Sequence, residues 1–285
     1  MKRLEGKIIV TTGGTQGVGE AVARRVAAEG AAGVVICGRQ TQKGEAVAAS
    51  ITASGCPTEY VVADLAVVED CRSVIQHCDK VFGRIDGLVN AAADTHRGNL
   101  ENTTVEFWDH QFAVNVRSPF LLIQEAVAMM KRDNVPGSIV NIQSVAAYCG
   151  LPFLFSYSAT KGALVTLTKN LANTLRQDRI RVNGVNLGWT DTPGEQVVQT
   201  LQGAPADWLE RGEQSSPFGR LLKPEDVAGL CAYLLSDDSG ILTGANIDYS
   251  QRVMGVFPTE PTADETQAWQ QIGGGVFPVP GLADV

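Results

Sequence analysis

Short apolar runs rich in valine and isoleucine alternate with segments of helical periodicity along this chain. The runs fall at residues 7–12, 33–37, 59–63, 86–90, 138–143 and 180–186. Each run is too short for a typical helix and lacks the period of two expected of a strand with one face in water. Between the runs, patterns such as Ala21, Val22 and Val26 follow one helical face. The alternation predicts a doubly wound, Rossmann-type α/β fold, with a parallel sheet covered by helices on both faces.

Two local signals bear on helix boundaries in the middle of the chain. Thr103 followed by Glu106 matches a capping box and predicts that a helix begins there. Pro119 lacks a backbone N–H group, so we expect it to bend or interrupt the helical pattern near residues 117–120.

The length of the chain and a change in composition define its expected domains. A chain of 285 residues with 44% hydrophobic content can bury a substantial core, and α/β chains of this size are commonly one domain. From about Met254 onward, four prolines and the run Gly273-Gly274-Gly275 break regular structure. We therefore predict one domain over residues 1–253 and a C-terminal extension over 254–285 that is not a separate domain.

Charge and composition argue against several classes of partner. The formal net charge of −8 disfavours nucleic acids and anionic membranes. No apolar run approaches the length of a bilayer span, and the start of the chain does not match a signal peptide. The six cysteines include no C-x-x-C pair, and the three histidines lie apart from them. We expect a cytoplasmic protein with reduced thiols and no metal held by the chain.

A glycine-rich turn follows the first predicted strand directly. It reads Thr12-Gly13-Gly14-Thr15-Gln16-Gly17-Val18-Gly19 and leads into a predicted helix. Glycines let the backbone approach a pyrophosphate closely, and the N-terminus of a helix attracts anions. An ordinary tight turn has a similar pattern, but the position after the first strand favours a dinucleotide site. The expected contacts are Gly13, Thr15, Gln16, Gly17, Val18 and Gly19.

A phenol and an ammonium group lie four positions apart at Tyr157 and Lys161, which puts both on one face of a helix. A phenol with a pKa of about 10 is a poor base at neutral pH, and a nearby cation lowers that pKa. We therefore predict that Lys161 activates Tyr157 as an acid/base. Ser144, at the end of the fifth predicted strand, is expected to hold the same substrate oxygen.

The motifs T-G-x-x-x-G-x-G and Y-x-x-x-K, in this order, resemble those of the short-chain dehydrogenase/reductase family over roughly residues 4 to 250. The resemblance implies a seven-stranded sheet ordered 3-2-1-4-5-6-7, with a nicotinamide dinucleotide across the carboxyl ends of the strands. It implies NAD(P)-dependent interconversion of a secondary alcohol and a ketone. It also implies a homo-oligomer, either a tetramer or a dimer.

The same resemblance assigns roles to further residues. Lys161 and Tyr157 would also contact the cofactor, and Asn115 would hold a water that relays protons from Lys161 to solvent. The segment from Asn186 to Thr192 resembles N-P-G-x-x-x-T, which binds the nicotinamide carboxamide. The remaining implied cofactor contacts are Asp64, Leu65, Asn90, Ala91, Gly188, Thr190 and Thr192. The alternative for Asp64 is an ordinary helix N-terminal aspartate.

Arg39 bears on the choice of cofactor. The triplet Cys37-Gly38-Arg39 ends the second predicted strand with a basic residue, and it lacks the acidic residue that binds a 2′,3′-diol. This favours NADP(H), while NAD(H) stays possible. Arg39 would otherwise stack on adenine or face solvent, and Gln16 rather than a second basic residue precedes Gly17.

Two segments depart from the family pattern. Where the family often has N-N-A-G, this chain has Asn90-Ala91-Ala92-Ala93. Either the ribose sits differently or this loop avoids a positive φ. The last predicted strand ends in Ile247-Asp248-Tyr249-Ser250 instead of D-G-G, so subunit packing near that end could differ.

Residues after the strand ends carry the expectations for substrate. Residues 193–213 are predicted to form a mobile lid, with a passive surface helix as the alternative. A polar set suits a sugar, polyol or hydroxy-acid-like substrate. Its members are Thr95, His96, Arg97, Gln143, Tyr148, Trp189 and Asp191.

Three other functions fit these sequence features less well. A catalytically silent nucleotide sensor or scaffold would not need Asn115, Ser144, Tyr157 and Lys161 together. Enoyl reductases of the family use Y-x-x-x-x-x-x-K, a different spacing. Sugar-nucleotide epimerases and dehydratases normally carry a larger C-terminal domain than residues 251–285 provide.

Overall fold

The computed structural model describes residues 2–148 and 151–254. Its seven strands form one parallel sheet in the order β3-β2-β1-β4-β5-β6-β7. This confirms the predicted doubly wound fold and the implied strand order. The strands are β1 (Ile8–Thr12), β2 (Gly33–Gly38), β3 (Thr58–Val62), β4 (Gly87–Asn90), β5 (Ser138–Ser144), β6 (Arg181–Leu187) and β7 (Asn246–Tyr249).

Helices connect the strands and cover both faces of the sheet. Helices α1, α2 and α9 contribute to the core on one face, and α3, α5 and α6 to the core on the other. The helices are α1 (Gly17–Ala28), α2 (Thr41–Ala53), α3 (Val68–Phe82), α4 (Val105–Phe112), α5 (Ser118–Arg132), α6 (Phe155–Leu175), α7 (Pro193–Leu201), α8 (Trp208–Gln214) and α9 (Pro224–Leu235).

Strand β1 shows why the strands appear as unbroken apolar runs. All five of its residues are buried. Ile8 and Val10 join the core on the α3, α5 and α6 side, whereas Ile9 joins the opposite core. Since successive strand side chains point to opposite faces, a strand covered on both faces needs apolar residues throughout.

The sheet changes direction of winding at β1, which lies between β2 and β4. In open α/β sheets a crevice forms at such a point, outside the carboxyl ends of the strands. The glycine-rich turn after β1 and the loop after β4 therefore meet at this crevice. Thr12 connects them, because its hydroxyl accepts hydrogen bonds from the N–H groups of Ala91 and Ala92 at 3.0 and 3.1 Å.

The start of α4 differs from the prediction by one residue. Thr104, and not Thr103, is the N-cap, and its hydroxyl accepts a hydrogen bond from the Phe107 N–H at 3.2 Å. The Thr103 hydroxyl instead donates to the Asn99 carbonyl at 2.6 Å. The predicted capping box at Thr103 was therefore wrong, because that hydroxyl closes the preceding turn.

Between α4 and α5 the chain forms a π-helix over Ala113–Arg117. The Ser118 N–H bonds to the Ala113 carbonyl, five residues earlier. Pro119 lies in the first turn of α5 and cannot donate the ordinary helical bond to the carbonyl of Asn115. The predicted interruption of the helix is confirmed. It lies before Pro119, in the wider π-helical turn.

The compact unit of the chain ends at Arg252. The predicted extension over 254–285 lies outside the described residues except for Met254, so the boundary at 253 stays a prediction. No helix among the described residues combines the length and apolar character that a bilayer span requires.

We expect Thr104→Ala to lower the free energy of unfolding by about 1 kcal/mol, since the N-cap hydroxyl satisfies a free N–H group of α4. Chemical denaturation followed by circular dichroism would measure this loss. Thr104→Ser keeps the hydroxyl and should cost much less. Equal losses for both variants would contradict the capping role.

Candidate active site

Three of the four residues named as catalytic lie together at the carboxyl end of β5. Ser144 is the last residue of β5, and Tyr157 and Lys161 lie in the first two turns of α6. The Ser144 hydroxyl lies close enough to the Tyr157 phenol to lower its pKa. The ammonium nitrogen of Lys161 lies 5.6 Å from the centroid of the Tyr157 ring. A hydroxyl, a phenol and an ammonium group thus share one small volume.

Burial sets the pKa of both ionisable groups. Lys161 is 2% exposed, and its Nζ donates to the Ile142 carbonyl at 2.9 Å. Burial lowers the pKa of Lys161 to about 8. Burial also raises the pKa of Tyr157 to about 12, although the nearby Ser144 hydroxyl opposes this. The expected lowering of the pKa of Tyr157 is not found in the protein alone, because desolvation penalises the phenolate and Lys161 is not among the groups that shift this pKa. Activation of Tyr157 by Lys161 stays a prediction.

Asn115, the fourth catalytic candidate, lies in the π-helix and is buried. Its amide nitrogen donates to the Asp94 carbonyl at 2.9 Å and to the Thr160 hydroxyl at 3.1 Å, and its amide oxygen accepts from the Asp94 N–H at 2.8 Å. The side chain therefore fixes the loop after β4 against α6. A water at Asn115 would have to use its backbone carbonyl, which receives no bond from Pro119.

The glycine-rich turn has the shape of a phosphate cradle. Gly13 and Gly17 have positive φ values of 67° and 58°. A Cβ on Gly13 would lie 2.9 Å from the Ala92 Cα, and a Cβ on Gly19 would lie 2.3 Å from the Gly13 carbonyl oxygen. Side chains at Gly13 and Gly19 would therefore displace the backbone that forms the cradle.

The start of α1 offers its N–H groups to an anion. Gln16 is the N-cap residue, and its side chain makes no capping bond. Val18 lies in the first turn of α1, is partly buried and packs against the core. Thr15 packs against the end of β2, since its methyl group lies 2.7 Å from the position that a Cβ on Gly38 would occupy. Together with the cradle, this N-terminus suits the pyrophosphate of a dinucleotide.

Arg39 follows the end of β2 and is exposed. A second cation lies beside the glycine-rich turn, because the Lys43 Nζ donates to the Gln16 side-chain oxygen at 3.3 Å. Lys43 was missed from sequence. Its one signal there is its position in the first turn of α2, four residues after Arg39.

Asp64 and Leu65 follow β3, where the adenine contact was expected. An Asp64 carboxylate oxygen accepts from the Ala66 N–H at 3.0 Å, which forms a local turn ahead of α3. Leu65 is buried in the core. Any contact of Leu65 with a cofactor would therefore use its backbone.

The Asn90-Ala91-Ala92-Ala93 segment is held mainly by protein contacts. Asn90 is buried, and its amide donates to the Asn141 side chain at 2.9 Å. The Asn90 side-chain oxygen has no hydrogen-bond partner among the described residues, whereas the Ala91 N–H is already bound by Thr12. Ala93 does not have a positive φ; among the described non-glycine residues only Asn134 and Arg179 do. The loop therefore avoids that conformation, which was one of the two expected alternatives.

The segment after β6 turns back toward the glycine-rich cradle. The Thr190 hydroxyl donates to the Gly188 carbonyl at 3.0 Å. The Thr192 hydroxyl accepts from the Glu195 N–H at 3.0 Å and caps α7. The Thr192 Cβ lies 3.6 Å from where a Cβ on Gly17 would be. Thr192 therefore brings the start of α7 to the cradle.

The polar candidates for substrate contact separate into two groups. Gln143 is buried and bonds to the Thr168 hydroxyl at 2.8 Å, so its predicted place in the substrate pocket is wrong. A buried amide group forms its hydrogen bonds within the protein, because it is shielded from water. The other candidates are at least partly exposed: Thr95, His96, Arg97, Tyr148, Trp189 and Asp191.

The predicted lid over 193–213 consists of α7 and α8, joined by residues 202–207. Its Glu195 carboxylate accepts a hydrogen bond from Arg97 at 2.6 Å. Glu213 and Asp191 both pair with Lys223, at 3.1 and 3.0 Å. Glu195 was missed from sequence, where nothing distinguishes it from an ordinary first-turn glutamate. The mobility of this segment stays a prediction.

Comparison with known proteins agrees with this geometry. A family model described as "Enoyl-(Acyl carrier protein) reductase" matches residues 13–250. A solved structure of a Serratia marcescens short-chain dehydrogenase/reductase double mutant superimposes with a TM-score of 0.79 at 32% identity. That match covers 87% of this chain and 98% of that chain.

Curated relatives span nearly the same length. An uncharacterised oxidoreductase of Methylorubrum extorquens is 37% identical, over 88% of this chain and 98% of its own. The NADP-dependent (R)-specific alcohol dehydrogenase of Lentilactobacillus kefiri is 34% identical, over 85% and 94%. Dehydrogenase/reductase SDR family member 4 of Sus scrofa is 33% identical, over 86% of each. The chain is therefore an oxidoreductase of the short-chain dehydrogenase/reductase family.

Proposed function

We propose that this protein is an NADP(H)-dependent enzyme that interconverts a secondary alcohol and a ketone. The observation that carries the proposal is the convergence of Ser144, Tyr157 and Lys161 beside the glycine-rich cradle. Acid/base chemistry on a carbonyl oxygen needs one group to hold that oxygen and another to move its proton. The neighbouring Ser144 and Tyr157 side chains supply both groups.

The chain's own residues would divide the work as follows. The Ser144 hydroxyl and the Tyr157 phenol hold the substrate oxygen, and Tyr157 gives or takes its proton. Lys161 would hold the nicotinamide ribose, and the Asn115 carbonyl would hold a relay water. When bound, the nicotinamide accepts the hydride in alcohol oxidation and donates it in ketone reduction.

Two cations support NADP(H) as the preferred cofactor. Lys43 bonds to Gln16 in the glycine-rich turn, and Arg39 follows the end of β2, where an adenosine 2′-phosphate would lie. The relative from Lentilactobacillus kefiri is named as NADP-dependent. NAD(H) is the alternative.

The description of the matching family model points to a second reaction, reduction of a carbon–carbon double bond. The spacing between Tyr157 and Lys161 favours carbonyl chemistry instead, because enoyl reductases of the family have a longer spacing between these two residues. An enoyl thioester in the substrate panel separates the two reactions. Turnover of the thioester alone would favour the second.

A catalytically silent sensor of the same fold remains the alternative from another class. Persistent inactivity on broad alcohol and ketone panels, with cofactor binding verified by thermal shift, would favour it.

We also propose a polar substrate, a cytoplasmic location and a homo-oligomer. The exposed Phe120 and its neighbours Phe112 and Val116 line a largely apolar hollow between α5 and α6, which a second copy would cover. The size of the oligomer stays open between a dimer and a tetramer.

Replacing Tyr157 with Phe should lower kcat at least 100-fold, because the variant has no exchangeable proton at the substrate oxygen. Steady-state turnover of secondary alcohols and ketones would measure this. Thermal stabilisation by NADPH should persist in the variant, and Tyr233→Phe in α9 should keep full activity. A fully active Tyr157→Phe variant would reject the proposal.

Replacing Arg39 with Ala should weaken NADPH binding about 10-fold or more and change NADH binding little, because only NADPH carries the 2′-phosphate. Fluorescence titration of both reduced cofactors gives the two dissociation constants. Arg72→Ala, an exposed arginine in α3, is the matched control. Equal weakening of both cofactors would assign Arg39 to adenine rather than to phosphate.

Alcohol oxidation should speed up with rising pH between 6 and 10. The pKa of Tyr157 is raised to about 12, so the phenolate fraction needed for oxidation grows with pH over this range, while the phenol needed for ketone reduction predominates at pH 7. Profiles of kcat/KM in both directions would measure this. An oxidation profile that is flat from pH 6 to 10 would contradict it.

A further inference from the structure

Arg97 and Glu195 form an ion pair beside the proposed reaction centre. The Arg97 Nη2 lies 2.6 Å from a Glu195 carboxylate oxygen, and the two side chains are only 17% and 14% exposed. Arg97 lies in the loop after β4, whereas Glu195 lies in the first turn of α7. The pair therefore connects two segments that follow different strand ends.

Both partners are held close to Tyr157. Gly98, next to Arg97, accepts a hydrogen bond from the Phe155 N–H at 3.1 Å, two residues before Tyr157. Glu195 raises and Arg97 lowers the pKa of Tyr157, so both charges act on the phenol. The pair thus lies within electrostatic range of the reacting oxygen.

The hydrogen bonds of Glu195 are concentrated on one carboxylate oxygen. Its Oε1 accepts from Arg97, from the Trp189 indole N–H at 2.9 Å and from the Gln199 amide at 2.6 Å. Within residues 2–148 and 151–254, no hydrogen bond reaches Oε2. One oxygen fixes the side chain in place, and the other is left as an acceptor.

The charges of Arg97 and Glu195 limit which chemical groups of a substrate could bind to the Glu195 Oε2 atom. Arg97 already neutralises Glu195, so a carboxylate on the substrate would leave one buried negative charge unpaired. A purely apolar substrate would bury Oε2 without a hydrogen-bond donor, which also costs free energy. A neutral hydroxyl group donates to a carboxylate and avoids both penalties.

We propose that Glu195, positioned by Arg97, accepts a hydrogen bond from a second hydroxyl group of the substrate. This inference rests on the proposed alcohol/ketone activity and narrows its substrates to neutral diols and hydroxyketones. Glu195 then acts as a specificity-determining residue carried by α7, and substrate binding involves α7 as well as the ends of β5 and β6.

Matched alcohols that differ in one hydroxyl test the proposal. The probes are 2,3-butanediol against 2-butanol and 2,4-pentanediol against 2-pentanol, each as a mixture of stereoisomers, with 3-hydroxybutyrate as an anionic probe. The measured quantity is the ratio of kcat/KM for the diol to kcat/KM for the monoalcohol. The variants are Glu195→Gln and Glu195→Ala, and the matched control is Glu69→Gln, at an exposed glutamate of α3.

The wild-type ratio should exceed about 10 in at least one pair and fall about 10-fold in both Glu195 variants, because a hydrogen bond to a charged group is lost. Glu69→Gln should leave the ratio unchanged. An unchanged ratio in the Glu195 variants, or 3-hydroxybutyrate as the best substrate, would overturn the proposal.

Two further readouts keep the result unambiguous. Thermal shift with NADPH shows whether each Glu195 variant is folded, and the ratio is compared within one variant, so a general loss of activity cancels. Monoalcohol turnover without a diol preference would reject this inference but leave the proposed function standing. Absence of turnover on every alcohol and ketone would reject the proposed function, and this inference with it.

Discussion

The parallel pairing of β4, β5 and β6 determines where the chemistry of this protein lies. Their register places Asn90 beside Asn141 and Ser144 beside Leu187, so the three strands finish along one edge. The loops that follow must then leave the sheet on the same side. Ser144, the loop carrying Arg97 and the segment leading to α7 are brought together by this one constraint.

Burial shifts the pKa values of Lys161 and Tyr157 in opposite directions. Lys161 and Tyr157 lie close together in a volume that hydrates charge poorly, so the ammonium loses its proton more readily and the phenol holds its proton more tightly. The protein alone is therefore better prepared to donate a proton than to accept one. Alcohol oxidation in such a site needs additional stabilisation of the phenolate, which a bound oxidised nicotinamide, being cationic, would supply.

The π-helix links helix geometry to the site. Pro119 cannot donate to Asn115, and the wider turn accommodates the missing bond. The Asn115 side chain meanwhile fastens the loop after β4 to α6 through Asp94 and Thr160. One local irregularity thus orients the loop that carries Arg97 and leaves the Asn115 carbonyl without the bond that Pro119 cannot donate.

The sequence by itself determined the fold class, since unbroken apolar runs between helical segments are compatible with few arrangements. It also named Ser144, Tyr157 and Lys161, because motif spacing is local and survives without coordinates. Helix boundaries were less secure. Thr103 and Thr104 are equally good caps by residue type, and only the backbone geometry shows which hydroxyl reaches a free N–H group.

Only the tertiary structure decided the pKa directions, the burial of Gln143 and the contacts of Lys43 and Glu195. Desolvation depends on every atom packed around a group, and the sequence does not contain that sum. Glu195 pairs with Arg97, 98 positions away, and such a contact arises from strand order and loop path rather than from local pattern. The sequence therefore specified the reactive groups, and the packed fold determined their charge and their partners.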